Sequence, residues 1–366
     1  MTKEVLQNTF KNDMIVAAVL PCYKSKDQVL DVIERFGDEI DLIVCVDDKC
    51  PVETGLYIQK YSKDPRVHVI FQKENGGVGA ATLSGMQYAS LQNADIVVKV
   101  DSDGQMDPKL IPALIQPIIA GQADFTKGNR FFNPEDVSEM PVLRLVGNAG
   151  LSFLTKLSSG YWDIFDPTNG FLAIHTSILR RLNAKKLSKR FFFESDLLFR
   201  AGLVRARIQD MPMRAIYADE ESNLKIGKVL FEFGGLHIVN FFKRIFYNYF
   251  LRDFSAASLY LIFGLLSILI GSILGISYFG ISLTTGVAAT SGQVMMSALP
   301  LFMGGQFLIA FLTYDIGNKP TVTLWKSLVE IDKNTDPKDI FGQEAGSKES
   351  ALDADQPKVV GQDDGK

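Results

Sequence analysis

"ADIVVKVDSDGQMDP", residues 94 to 108, is an apolar run that ends abruptly in acids. Ile96, Val97, Val98 and Val100 are β-branched and read as a strand buried on both faces. Asp101, Asp103 and Asp107 follow within seven positions, where such a strand turns into a loop. Three more short β-branched runs stand upstream: "MIVAAVLPCY" (14–23), "DLIVCVDD" (41–48) and "RVHVIFQ" (66–72). Segments with helical spacing separate them, "KDQVLDVIERFG" and "GAATLSGMQYASLQ" being the clearest. This alternation predicts an α/β fold, a mostly parallel sheet covered by helices on both faces. In such sheets a ligand sits beyond the carboxyl ends of the strands.

Each of the four strands ends in a polar cluster there: Pro21, Cys22 and Tyr23; Asp47 and Asp48; Glu74, Asn75, Gly76 and Gly77; Asp101, Ser102 and Asp103. Taken singly, the Asp pair also suits a helix cap and Asn75-Gly76-Gly77 a turn. Jointly they describe a crevice. One reading is a dinucleotide site, because "GVGAAT" (77–82) opens a helix after a strand and Asp101 lies roughly 20 residues on. Thr82 replaces the third glycine of that fingerprint, and Asp101 does not stand alone. The other reading is a nucleotide diphosphate held through a divalent metal, with carboxylates at i and i+2 supplying hard oxygen ligands to Mg²⁺ or Mn²⁺. A dication among the acids relieves their mutual repulsion. Asp107, before Pro108 and "KLIPALIQPII", reads instead as a helix cap.

The order and spacing of "VLPCYKSKDQV", "IVCVDD", "KENGGVGAATLSGMQYA" and "VVKVDSDGQMDP" resemble family-2 glycosyltransferases of the GT-A fold, in particular the polyprenyl-phosphate glycosyltransferases of the dolichol-phosphate mannose synthase type. The resemblance covers residues 14–225. It implies that Pro21, Tyr23 and Asp48 line the donor nucleoside, with Asp47 beside them and Asn75 and Gly79 completing the donor set. Asp101 would face ribose and diphosphate, and Asp101, Asp103 and Gln105 would hold the metal. Lys24-Ser25 stands where such proteins often carry Asn-Glu, and no serine follows the Asp47-Asp48 pair, so the nucleobase stays open. "FTKGNRFF" (125–132) and "MPVLRLVGNAGLSFLTKLSSG" (140–160) resemble the acceptor region and place Arg130 and Arg144 at the acceptor phosphate, which guanidinium forks bind well. Lys225, in "EESNLK", would join them. "DPTNGFLAIHTSIL" (166–179) resembles the block beneath the sugar, making Asp166 a sugar contact. In "RFFFESDLLFRAG" (190–202), Glu194 and Asp196 are equally a catalytic carboxylate or acids at a helix N-terminus.

Beyond residue 255 the chemistry of the chain changes. "ASLYLIFGLLSILIGSILGISYFG" (257–280) and "VMMSALPLFMGGQFLIAFLTY" (294–314) carry no charge and reach the length of membrane helices. Lys243, Arg244 and Arg252 precede the first and Lys319 and Lys326 follow the second, so the positive-inside rule places both flanks in the cytoplasm. The segment 226–255 alternates aromatic residues with cations, as an interfacial helix does. Residues 1–13 are polar, without the apolar core of a signal peptide. Cys22, Cys45 and Cys50 are odd in number and suggest no disulfide framework. The formal net charge is −4, and residues 331–366, with nine acids and five bases, account for it; this tail reads as disordered.

The expected architecture is therefore a GT-A domain (14–225), a juxtamembrane amphipathic segment (226–255) and a two-helix hairpin (256–318) in the cytoplasmic membrane. The expected reaction is inverting, metal-dependent transfer of a hexose from a UDP- or GDP-sugar to polyprenyl phosphate. A glycolipid or polysaccharide acceptor is the alternative, and a non-catalytic nucleotide-sugar binding protein is the reading from another class. No nucleic-acid partner is expected; Gly271 and Gly275 would permit close helix contact in a homo-oligomer.

Overall fold

The computed structural model describes residues 14–132, 142–213 and 226–332. Its strands are β1 (Val16–Cys22), β2 (Leu42–Asp47), β3 (Val67–Phe71), β4 (Ile96–Lys99), β5 (Phe125–Asn129), β6 (Leu172–His175) and β7 (Ile208–Pro212). They form one sheet in the order β3-β2-β1-β4-β6-β5-β7, parallel throughout except for β6. Ile208 of β7 and Ala206 just before it reach the core.

All seven residues of β1 are buried, and they alternate between two cores. Ala17 and Val19 face one; Val16, Ala18, Leu20 and Cys22 face the other. A strand covered on both faces has no polar side to spare, which is why these segments read as unbroken apolar runs. Each fully buried Val, Leu or Ile in them contributes roughly 1.5–3 kcal/mol.

The covering helices are α1 (Val29–Glu34), α2 (Thr54–Tyr61), α3 (Val78–Leu91), α4 (Ile111–Ile119), α5 (Val142–Ser159), α6 (Thr176–Leu179) and α7 (Phe193–Val204). The chain order reverses at β1: β2 and β3 lie on one side and β4 on the other. That reversal opens a crevice at the carboxyl ends of β1 and β4. Because β6 runs against its neighbours, its amino end meets the same edge.

After the sheet come α8 (Ile226–Phe246), a π-helical turn (Tyr247–Arg252), α9 (Ala256–Thr285) and α10 (Ser291–Gly317). The last two are long and apolar enough to cross a membrane. They exceed the apolar runs of the sequence because nothing stops them before Gly286, which caps α9 at φ +71°, and Thr290, which opens α10 with a capping box to Gln293. They pack antiparallel: a Cβ on Gly271 would stand 2.8 Å from Ser297 O, and one on Gly304 would stand 2.9 Å from Gly264 O. Gly271 thus serves the hairpin's own packing.

The chain then returns to the sheet domain. Helix α11 (Trp325–Asp332) follows a segment whose Leu324 and Trp325 amides donate to buried Asp124. Arg181 pairs with Asp332, and Trp325 stacks on His175 at 4.6 Å. The hairpin is therefore fastened to the sheet domain at both of its ends. Residues 1–13 and 333–366 lie outside the described residues.

Candidate active site

Asp47 closes the β2 edge by taking the amides of Cys50 (2.7 Å) and Gly55 (2.6 Å), so both its oxygens hold its own loop. Asp48 takes the amides of Gly76 and Gly77, each at 2.8 Å. It clamps the turn after β3, where Gly77 at φ +90° adopts a conformation closed to L side chains. Asn75 lies at the exposed tip of this turn. Gly79 is buried in the first turn of α3, and a Cβ there would stand 2.6 Å from the carbonyl of Ser188, so its glycine allows close packing. At the end of β1, Tyr23 stays exposed beside Lys24. The Ser102 hydroxyl donates to Pro21 O at 2.8 Å and lies 2.8 Å from Ser25 Oγ. Ser25 thereby joins the end of β1 to the acidic loop after β4.

That loop holds Asp101, Asp103 and Gln105, all half-buried. The Asp103 Oδ1 accepts the Gln105 amide at 3.0 Å, and Gly104 turns the chain at φ +78°. Among the described residues no group of three or more His, Cys, Asp or Glu side chains is placed to hold a metal ion. Two carboxylates and an amide oxygen fit a hard divalent cation that draws its remaining ligands from a diphosphate and water. Asp107 accepts the Lys109 amide at 3.1 Å and caps the turn at Pro108–Leu110.

Beneath the loop lies a floor of buried charge. Lys99 of β4 donates to Asp101 Oδ1 at 2.6 Å and lies 3.3 Å from Glu194 Oε1 of α7. Lys127 of β5 is also wholly buried and donates to Asn169 O. Burial pulls its pKa down to about 8 against the attraction of Asp166, Glu194 and Asp210. Arg130 grips Asp166 with Nε and Nη2, both at 2.8 Å, and its amide bonds the same carboxylate. Burial alone would raise the Asp166 pKa, but the fork and charge of Arg130 hold it below the usual range. Asp210 takes the Phe165 amide and the Asn129 side chain on one oxygen, and burial pushes its pKa up to about 6.

The structure thus brings Asp101, Glu194, Asp166 and Arg130 to one sheet edge and gives Asp196 a different place. Asp196 is occupied by the Ser188 amide, Arg200 and Asn240, and ties α7 to α8. Arg144 lies in the first turn of α5, its side chain outside the described residues, as Lys225 is entirely. Lys99, Lys127 and Asp210 go unremarked in a motif reading. Their signal was available: a lysine inside a strand with no polar face must have a buried partner.

The family model for glycosyl transferase family 2 matches residues 17–182. A UDP-N-acetylglucosamine--dolichyl-phosphate N-acetylglucosaminyltransferase of Methanococcus voltae is 30% identical over 237 residues, 60% of this chain and 94% of that relative. The chain belongs to glycosyl transferase family 2. An undecaprenyl-phosphate mannosyltransferase of Micrococcus luteus is 27% identical to this glycosyltransferase over 205 residues, 55% of the chain and 83% of the relative. A crystal structure of glucosyl-3-phosphoglycerate synthase from Mycobacterium tuberculosis with UDP has a TM-score of 0.49 and 19% identity to it, over 67% of this chain and 84% of that one.

Proposed function

We propose that this glycosyltransferase moves a hexose from a nucleotide diphosphate sugar to a polyprenyl phosphate at the cytoplasmic face of a membrane. The observation that carries the reading is the placement, on one sheet edge, of oxygen donors suited to a diphosphate-bound cation beside a half-buried arginine suited to a phosphate. The two named relatives, which act on dolichyl phosphate and undecaprenyl phosphate by name, support it. They differ in sugar, so donor identity is left to experiment.

In this reading the crevice between β1 and β4 takes the nucleoside. Asp101, Asp103 and Gln105 would hold Mg²⁺ or Mn²⁺, which supplies positive charge to the departing diphosphate. Arg130, oriented by Asp166, holds the acceptor phosphate near the sugar. An acceptor phosphate oxygen bonds to the anomeric carbon as the bond from that carbon to the diphosphate oxygen breaks, and the configuration inverts. A phosphate monoester is ionised at neutral pH and needs no base. This agrees with the commitment of Asp196 to α8 and of Glu194 to Lys99.

The membrane reading rests on α9 and α10. At 30 and 27 residues they span roughly 40–45 Å, more than the roughly 30 Å of a hydrocarbon core. Helices α5 and α8 extend the apolar surface with exposed Val146, Phe153, Val239, Phe242 and Phe246. A surface of this kind seats an active site at the depth of a lipid phosphate. The test is a thermal-shift screen of UDP- and GDP-sugars with Mn²⁺, followed by mass spectrometry of the lipid made from undecaprenyl phosphate. A glycosylated polyprenyl phosphate is expected; a nucleotide sugar that binds and reacts only with a glycolipid or polysaccharide would replace the proposed acceptor.

A further inference from the structure

Lys99 lies in the middle of the sheet, where a lysine is least expected. It follows Ile96, Val97 and Val98, precedes Val100, and its side chain is 1% exposed. Strand register sets it in one row with Leu172 of β6, and Leu172 is level in turn with Lys127 of β5. Residues level on adjacent strands share a face, so both ammonium groups lie on one side of the sheet, with Lys99 under the acidic loop. Glu194 meets Lys99 from α7 on that side. The neighbouring backbone is cut to fit: a Cβ on Gly170 would stand 2.2 Å from Lys99 Nζ and 2.8 Å from Asp101 Oδ2. Any side chain at Gly170 would push the pair apart.

The geometry points to Lys99 as a fixed internal counter-ion that positions Asp101 and weakens the site's hold on a free divalent cation, so that cation and nucleotide diphosphate are taken up together. The inference rests on the metal-diphosphate reading above. An ammonium 2.6 Å from Asp101 competes directly with a cation for that carboxylate and repels it at close range. A diphosphate reverses the balance, because its negative charge is attracted by Lys99 and by the cation alike. Lys99 is a positioning residue, since it acts through Asp101 and the local field. The site is thereby kept from filling with a dication before the donor arrives, and Glu194, on the other side of the ammonium, keeps Lys99 itself from standing as an unpaired buried charge.

The test measures Mn²⁺ binding to the full-length detergent-solubilised chain by the EPR signal of free Mn²⁺, alone and with UDP or GDP. In the wild type, Mn²⁺ alone is expected to bind weakly and to tighten on adding nucleotide. In K99M, Mn²⁺ alone is expected to bind about tenfold tighter, with less gain from nucleotide, and K99R to stay within about twofold of wild type. General damage to the fold does not raise an affinity. If K99M does not fold, K99M/E194Q, which buries one acid fewer, carries the comparison and is expected to bind Mn²⁺ about fivefold tighter than wild type because Asp101 is released. Affinity for Mn²⁺ equal to or weaker than wild type in either folded variant overturns the role of Lys99 alone. A wild type that binds no Mn²⁺ with either nucleotide overturns the metal reading and this inference with it.

Discussion

Replacing Asp315 by alanine should loosen the hairpin from the sheet domain. Asp315 lies in the last turn of α10 and is 3% exposed. Its carboxylate takes Arg244 Nη1 at 2.6 Å, Arg244 Nη2 at 3.0 Å, the Tyr249 hydroxyl at 2.6 Å and Trp162 Nε1 at 2.9 Å. Arg244, 2% exposed, also donates through Nε to Leu157 O at the end of α5. One carboxylate thus binds α10 to α8, to the π-helical turn and to the segment after α5. Removing one partner of a buried ion pair costs about 3–5 kcal/mol, because the other charge stays buried. The orphaned Tyr249 and Trp162 donors cost about 1–3 kcal/mol each if they find no water. These terms overlap, so D315A is expected to lose about 4–6 kcal/mol in all.

The assay is thermal unfolding in detergent micelles, followed by the fluorescence of Trp162 and Trp325. At about 2–4 °C per kcal/mol the midpoint should fall by about 10 °C or more. R244M/D315L removes both charges and should recover the part of that loss that comes from stranding Arg244, since packed apolar residues often replace a buried pair at little cost. The coupling between the two positions should be at least about 2 kcal/mol. A D315A midpoint within about 2 °C of wild type, or a double variant no better than the single one, would refute the view that this pair holds the hairpin to the domain.

Two further outcomes follow from the charged floor. Asp210 has its folded pKa raised from 3.8 to about 6 by burial, so between those values the folded chain holds a proton that the unfolded chain has released. Stability should therefore fall as pH rises across that window, by up to about 3 kcal/mol, and stay reduced above it. D210N should flatten this slope; a D210N minus wild-type difference in melting temperature that does not change from pH 4 to 7 contradicts the assignment. At Arg130, lysine keeps the charge but loses the two-pronged grip on Asp166 and on a phosphate, so R130K should raise KM for polyprenyl phosphate about tenfold and leave KM for the nucleotide sugar nearly unchanged. Equal rises in both would place Arg130 at the donor instead.

The strands β1 to β4, the helices between them and the cap at Asp107 were all legible in the sequence, because each is written in local chemistry: β-branched runs, helical spacing and an Asp before Pro108. The resemblance led to the right family for the same reason, since the strand-end motifs are short and contiguous. What local reading could not reach was pairing across the fold. The grip of Asp47 on the amides of Cys50 and Gly55 is not visible in its strand-end motif. Asp196 reads equally as a catalytic carboxylate or an acid at a helix N-terminus, and its partners Ser188, Arg200 and Asn240 are not visible in the motif. Gly271 suggests close helix contact, and only the fold shows that Ser297 of the same chain stands opposite it. The return of α11 to the sheet rests on Asp124 and Arg181, some 200 and 150 residues away along the chain, and no periodicity records such a contact.

In the proposed function the acids after β4 serve transfer from a nucleotide diphosphate sugar to a polyprenyl phosphate. The direct measurement is the rate of labelled-sugar transfer to undecaprenyl phosphate by purified wild type and D103A, each with Mn²⁺ and with EDTA, using the donor the binding screen selects. Wild type should transfer sugar with Mn²⁺ and lose at least about a hundredfold in EDTA, and D103A should be slowed about as much even with Mn²⁺. Undiminished transfer by wild type in EDTA and by D103A in Mn²⁺ would contradict the account.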